Sequence, residues 1–386
     1  MHTVRVTRKG AMRLAVGHPW VFAGDVEDRG GAEPGEAVRV EDAKGRFRGL
    51  AHYSSSSQIA LRLLDAEGVA IDKQFYFTRI RAAQSHRERV VSDAEAWRVV
   101  HAEADRLPGL IVDWYAGHVV CQTLSQGMAA AEPVIVECLT ELFQPASIIA
   151  SNDAAVRARE SLPRQVTVLA GTAPEQISLR MNGLVWRADL LRGQKTGLFL
   201  DQRENYVAAA KWASGRALDC FTSTGGFALH LAARCETVEG VDGSASAIQT
   251  AEANRKANGI ENASFLQADV FDLLAGYGSA GRRFDTVVLD PPAFAKSRPA
   301  IEGALRGYKD INYRALRLLS PGGVLVTCSC SHLVSEADLL EVIATASLDA
   351  GRPLRVLERR TQASDHPILL NVPETCYLKC LILQAL

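Results

Sequence analysis

RALDCFTSTGGF (216–227) decides how this chain reads. Its first half is a short apolar run that predicts a buried strand. Its second half gathers small and polar residues around Gly225 and Gly226, and the helical pattern ALHLAARC follows. Glycines at a strand-to-helix turn let the backbone approach a ligand closely. The next strand pattern, TVEGVD (237–242), ends in Asp242, and a third, ASFLQAD (263–269), ends in Asp269. With Asp219, these place three acids at successive strand ends. In a doubly wound sheet such ends converge on the carboxyl edge, where ligands bind. Any one of these aspartates alone reads as a helix cap or a solvated loop residue. Together they predict a site for a nucleoside-bearing cofactor.

The G-x-G-x-x-G fingerprint of dinucleotide sites is missing. Asp219 would repel a pyrophosphate. It suits a ligand with an ammonium group, such as the methionine part of S-adenosylmethionine. Asp242 is then expected to accept the ribose hydroxyls and Asp269 to meet the adenine edge. Phe221, Thr224, Gly225 and Gly226 belong to the loop that would surround the ligand.

Working outward, regular β-α alternation begins near residue 182. FDTVVLD (284–290) and GGVLVTCSCS (322–331) predict a fourth and a fifth strand. SASAIQTAEANRKANG (244–259), DINYRALRLLS (310–320) and SEADLLEVIATAS (335–347) predict helices, the first capped by Ser244. Ser320-Pro321-Gly322-Gly323 reads as a stop and a turn. The fourth strand runs into Asp290-Pro291-Pro292-Ala293-Phe294. Two prolines fix the backbone and leave carbonyls without competing N–H groups. Such a loop can offer carbonyls to an exocyclic amine, and Phe294 can offer an aromatic face to a base. The plain alternative is a rigid turn.

The fifth strand ends in Thr327-Cys328-Ser329-Cys330-Ser331. Cys328 and Cys330 share a face while the chain stays extended, and Cys330 lies nearer the ligand edge. Carbon 5 of a cytosine or uracil is a poor nucleophile until a thiolate adds at carbon 6. A free thiol has a pKa of ~8.5, so such a site must favour the thiolate or take the proton on attack. Cys330 is the expected nucleophile and Asp290 its partner at the base. Cys328 is expected to be packed.

The chain has 386 residues, 47% of them hydrophobic and 23% charged, which suits a globular protein of two to three domains. No apolar run nears the roughly 18 residues that span a bilayer. The N-terminus has no secretory apolar segment, so the expected place is the cytoplasm, with no membrane partner. Eight scattered cysteines show no paired metal spacing, and no metal is expected. The net charge of −1 argues against a strong nonspecific nucleic-acid binder but allows a local basic face. Arg79, Arg81, Arg87 and Arg89 are one candidate for that face, with a solvated helix side as the bland reading.

Before residue 68 the sequence predicts a small β-barrel. VRVTR (4–8), EAVRVED (36–42), GRFRGLAHY (45–53) and QIALRLL (58–64) read as strands, interrupted by GHPWVF (17–22). From 69 to 181 helix and strand mix. FYFTRIRAAQSHRERV (75–90) and 128–144 look helical. WRVVHAEAD (97–105), GLIVDWY (109–115) and VTVLAG (166–171) look extended, and Leu107-Pro108-Gly109 turns between the first two.

Nearly the whole chain resembles the bacterial 23S rRNA 5-methylcytosine methyltransferases of the RlmI type. The matching stretches are GHPWVF, HAEADRLPGLIVDWY (101–115), DLLRGQKTGLFLDQREN (189–205), DCFTSTGGF, VDGSASAI, LDPPAFAKS, LRGYKDINYRALRLLSPGG, TCSCS and DHPILLNVPETCYLK (365–379). The resemblance implies an α/β fold: a Rossmann-like class I methyltransferase domain (182–386) preceded by a PUA β-barrel (1–68) and a central α+β domain (69–181). It implies that Phe199, Asp201 and Arg203 help hold S-adenosylmethionine and that Cys330 is the nucleophile, while the loop reading above has Pro291, Pro292 and Phe294 meet the base. It further implies 23S rRNA or a large-subunit precursor as substrate and allows a homodimer. Two-cysteine RNA 5-methylcytosine enzymes carry a second cysteine after the proline of the fourth-strand loop, where this chain has Ala293. Two other readings stay open: methylation of a base nitrogen through the DPPAF loop, and an RNA-binding assembly factor without catalysis.

Overall fold

The carboxyl-edge crevice expected around 216–227 belongs to a seven-stranded sheet. The computed structural model describes residues 1–191, 198–295 and 297–386. We number the strands of this sheet β1 (Arg216–Cys220), β2 (Thr237–Asp242), β3 (Ala263–Gln267), β4 (Phe284–Leu289), β5 (Leu319–Ser329), β6 (Leu354–Arg360) and β7 (Lys379–Ala385). Their spatial order is β3-β2-β1-β4-β5-β7-β6. The first five run parallel, and β7 pairs antiparallel with both β5 and β6. Chain order reverses between β1 and β4, which opens the ligand crevice at their carboxyl ends.

Strand alternation explains the two apolar layers. Leu218, Cys220, Val287, Leu289 and Leu325 face one core. Ala217, Val288, Val326 and Cys328 face the other. Burial on both faces is why these strands read as near-continuous apolar runs. Ser320 to Gly323 do not stop the chain as expected. They bulge out within β5 opposite Asp285, with Leu319 paired to Phe284 and Val324 to Thr286. Gly322 takes φ +79° there, so the turn signal is genuine but is absorbed as a bulge. This sheet sits in one compact unit: Met181–Arg187, Phe199–Ala363 and Cys376–Leu386.

The other unit comprises Met1–Arg180, Ala188–Leu198 and Ser364–Thr375. It holds a six-stranded sheet in the order Trp20–Phe22, Ile59–Asp65, Phe47–Tyr53, Ala37–Asp42, Thr3–Val6, Val26–Asp28. GHPWVF therefore supplies a strand and does not merely interrupt the barrel. VRVTR ends as a strand at Val6, because Thr7 caps the helix Arg8–Ala15 by accepting the Gly10 N–H at 3.1 Å. A five-stranded sheet follows, in the order Gln165–Gly171, Ser147–Asn152, His118–Thr123, Leu110–Tyr115, Ala96–His101. WRVVHAEAD leaves the strand at His101 and tightens into a 3₁₀ turn over Ala102–Asp105.

Barrel and five-stranded sheet share a buried polar joint. The Glu160 carboxylate accepts from Arg62 at 2.7 Å, from Ser54 Oγ at 2.8 Å and from the Gln126 N–H at 3.1 Å. Three donors on one buried carboxylate satisfy a charge that would otherwise be costly.

The arginine face on the helix Lys73–Val90 is not a basic surface. Arg87 is buried and grips Asp105 with both terminal nitrogens, at 2.5 and 2.7 Å, while also donating to the Asp365 carbonyl. Arg79 donates to the Arg106 carbonyl and pairs with Asp65. Only Arg81 and Arg89 of the four are exposed.

Candidate functional site

Asp219 sits at the tip of β1 with no exposed surface. Its Oδ2 accepts from Thr222 Oγ at 2.6 Å and from the Ala228 N–H at 2.9 Å. Its Oδ1 is buried and has no partner among the described residues. Burial, with Asp290 and Asp242 close by, pushes its carboxyl up to about 7. The loop that follows is wound tightly. Phe221, Ser223 and Gly225 have φ of +64°, +49° and +90°, a region side chains rarely enter. Gly226 is required for a different reason. A Cβ there would lie 2.4 Å from the Tyr206 ring. Thr224 is tied down by Asn254, which donates to its carbonyl at 3.0 Å.

Asp242, at the tip of β2, is half-buried. It accepts the Ser223 N–H at 3.0 Å on one oxygen and the Ser244 N–H at 2.8 Å on the other. This couples the first loop to the second strand end. Asp269 lies exposed beyond β3 and caps the helix Val270–Ser279 with one oxygen, at 2.8 Å to the Phe271 N–H and 3.1 Å to the Asp272 N–H.

Asp290, just past β4, accepts from Gln202 Nε2 at 3.0 Å. Gln202 belongs to the short 3₁₀ turn Leu200–Gln202, which buries Asp201 and leads into buried Arg203. Asp201 accepts from the Tyr377 hydroxyl at 2.8 Å, and Phe199 is half-buried beside it. The Tyr206 hydroxyl interacts electrostatically with Asp290, Asp201 and Asp219, and burial with these charges keeps it from ionising. Three acid-bearing elements therefore meet around one phenol. Of the stretch 189–205, residues 192–197 lie outside the described residues, as does Lys296 of LDPPAFAKS.

Cys330 lies one residue past the end of β5, half-buried, with Sγ 3.9 Å from the Pro291 carbonyl. Ser329, Tyr308 and Ser331 form a buried hydroxyl chain around it, at 2.9 and 3.0 Å. Cys328 is fully buried and stands opposite Cys380 across β7. Burial and that neighbour hold its thiol far above the usual range, as a packed residue requires. Pro291 is buried and Pro292 exposed. Phe294 packs against Tyr308 and Phe271, with ring centroids 4.7 and 6.2 Å away. It also borders an open cavity of about 560 Å³ lined by Phe271, Gly303, Arg306 and Gly307.

Contacts thus link Asp242 to the 221–226 loop and Asp290 to Gln202, the Tyr206 phenol lies near Asp219, Asp201 and Asp290, and Cys330 meets Pro291 of the Asp290 loop. Asp269 and Phe294 stand further out, on a helix cap and an aromatic stack. Gln202, Tyr206, Thr222, Tyr377 and Lys379 carry much of the geometry without having been singled out by sequence. Gln202 sits between two residues that were.

A buried carboxylate oxygen without a partner fits a cationic ligand group, and the neighbouring acids strengthen that preference. This set of acceptors therefore fits the ammonium end of S-adenosylmethionine.

Comparison with known proteins agrees. Residues 101–383 match the S-adenosylmethionine-dependent methyltransferase family, and residues 4–66 match the PUA-like domain family. A protein of Photobacterium profundum named ribosomal RNA large subunit methyltransferase I is 41% identical over 94% of both chains. One of Tolumonas auensis with the same name is 39% identical over 100% of this chain and 99% of its own. Among solved structures, a Streptococcus mutans chain assigned as an S-adenosylmethionine-dependent methyltransferase superposes with a TM-score of 0.86, at 18% identity and full coverage of both chains. A methyltransferase solved in complex with SAH gives 0.87, with the same identity and coverage. These two share the fold.

Proposed function

The chain belongs to the S-adenosylmethionine-dependent methyltransferases, in the group of ribosomal RNA large subunit methyltransferase I, and we propose that it methylates carbon 5 of a cytosine in 23S rRNA through a covalent cysteine adduct. The observation that carries this reading is Cys330, half-buried at the end of β5 and held against the Pro291 carbonyl of the Asp290 loop. A packed thiol would resemble Cys328 instead.

When bound, the cofactor supplies an electrophilic methyl group on a positively charged sulfur. Asp219 would take its ammonium group, Asp242 its ribose hydroxyls, and Asp269 its adenine edge through the oxygen not spent on the cap. Phe199, Asp201 and Arg203 would help hold it. On the substrate, the Cys330 thiolate adds to carbon 6 and makes carbon 5 nucleophilic. Asp290, steadied by Gln202, holds or protonates ring nitrogen 3 as charge enters the ring. The Pro291 and Pro292 carbonyls face the exocyclic amine, and Phe294 supplies the nearby aromatic surface. After methylation a base takes the carbon-5 proton, and the electron pair left behind expels the Cys330 thiolate from carbon 6, which frees the enzyme.

The PUA-like barrel suits a large RNA that must be held while one base enters a deep crevice. A second reading, methylation of a base nitrogen, draws on the Pro291 carbonyl, which could polarise an amine without any thiol. Mass mapping of 23S rRNA from cells with and without the gene separates the two. Loss of one 5-methylcytosine supports the first, and loss of an N-methylated base overturns it.

A further inference from the structure

Lys379 is a buried ammonium that the scheme above does not use. It begins β7, its Cα paired with Ser329 of β5, and only 5% of it is exposed. Its Nζ donates to the Ser331 carbonyl at 2.7 Å and to the Tyr377 carbonyl at 3.0 Å. Ser331 directly follows Cys330, so the ammonium is fixed at the strand end that carries the thiol. Among the described residues it has no ion-pair partner. The acids nearest in charge are otherwise engaged. Glu336 holds Arg359 at 2.7 and 2.9 Å, and Asp338 holds Ser335 at 2.7 and 2.8 Å. A buried charge without a counter-ion is costly unless an anion answers it.

We infer that Lys379 is a positioning residue whose charge keeps Cys330 in its thiolate form. The inference rests on the reading of Cys330 as nucleophile. Burial lowers the Lys379 pKa, and Cys330 is the strongest of the charges that raise it again, ahead of Cys376, Asp338 and Glu336. The Tyr308 phenol also senses Cys330, but burial keeps it protonated. His332 stacks on Tyr377, 5.3 Å between ring centroids, at the same edge. No bond is made or broken by Lys379. The Cys330 proton goes to solvent, and the ammonium stays charged at the strand end that carries the thiol.

Alkylation of Cys330 by iodoacetamide in the full-length enzyme without RNA tests this, with the modified peptide resolved by mass from the one carrying Cys376. The wild-type rate should titrate with a midpoint at least about one unit below an ordinary thiol at ~8.5. Lys379→Gln keeps a donor for the carbonyls but removes the charge. It should raise that midpoint by about one unit or more, which slows alkylation near neutral pH by about tenfold. Lys379→Arg should restore the low midpoint. A wild-type midpoint at the ordinary thiol value overturns the inference without any variant, and so does a Lys379→Gln midpoint equal to wild type. Because the assay needs no methyl transfer, it fails independently of the nucleophile reading, which Cys330→Ala tests on RNA.

Discussion

The amide of Gln202 donates to the carboxylate of Asp290 at 3.0 Å, which fastens the turn Leu200–Gln202 to the tip of β4. One side chain thereby joins the segment that leads into Arg203 to the loop that would hold the base.

Gln202 is almost fully buried, so Gln202→Leu should preserve packing and lose the hydrogen bond. A bond to a charged acceptor contributes about 1.5–3 kcal/mol. The expected result is a fall in kcat/KM of about 10- to 150-fold, with cofactor affinity changing less. Equal losses in both would place Gln202 in the cofactor pocket instead.

Asp242→Ala should weaken S-adenosylmethionine binding by about 1.5–3 kcal/mol, because a charge-assisted bond to the ribose is lost. Calorimetry on the folded variant measures this. Unchanged affinity would remove Asp242 from the ribose.

The raised Asp219 carboxyl sets a pH dependence. Its folded value of about 7 lies above its ordinary 3.8, so the folded protein holds a proton that the unfolded chain has released. Stability of the free enzyme should therefore fall as pH rises from about 4 to 7 and level off above. A bound ammonium group favours the ionised carboxylate, so cofactor affinity should rise across pH 5.5–7, by up to about tenfold per unit. Asp219→Asn should flatten that rise. Calorimetric titrations at several pH values test it, and a slope that survives in Asp219→Asn would assign the proton elsewhere.

Arg87 belongs to the architecture of its own unit. Arg87→Ala should lower unfolding free energy by about 3–5 kcal/mol, since it strands Asp105. Arg81→Ala and Arg89→Ala should stay within about 0.5 kcal/mol. Urea titrations give these values. A small effect of Arg87→Ala would return it to the pool of RNA-binding candidates.

The parallel half of the large sheet was legible because burial on both faces writes itself as apolar runs ending in acids. Asp219, Asp242 and Asp290 could be placed by that rule. The pairing of β7 with β5 was not legible, because nothing in KCLILQA (379–385) says which neighbour it takes. That pairing is what brings Tyr377 to Asp201 and Lys379 to the end of β5. Arg87 misled for a related reason. Its charge is visible in the sequence, but its partner Asp105 comes from a turn that reads as strand, and the carbonyl it also meets belongs to Asp365, far along the chain. Ser320 to Gly323 carried a true turn signal whose outcome, bulge or stop, depended on Asp285 across the sheet.

The covalent route through Cys330 is tested most directly by 23S rRNA fragments carrying 5-fluorocytosine at the target position. The fluorine cannot leave as a proton, so the thioether should persist and shift the protein band on a denaturing gel. Cys330→Ala should abolish both the shifted band and methylation of the unmodified RNA, while Cys328→Ala keeps substantial activity. A Cys330→Ala enzyme that methylates at near wild-type rate would contradict the account.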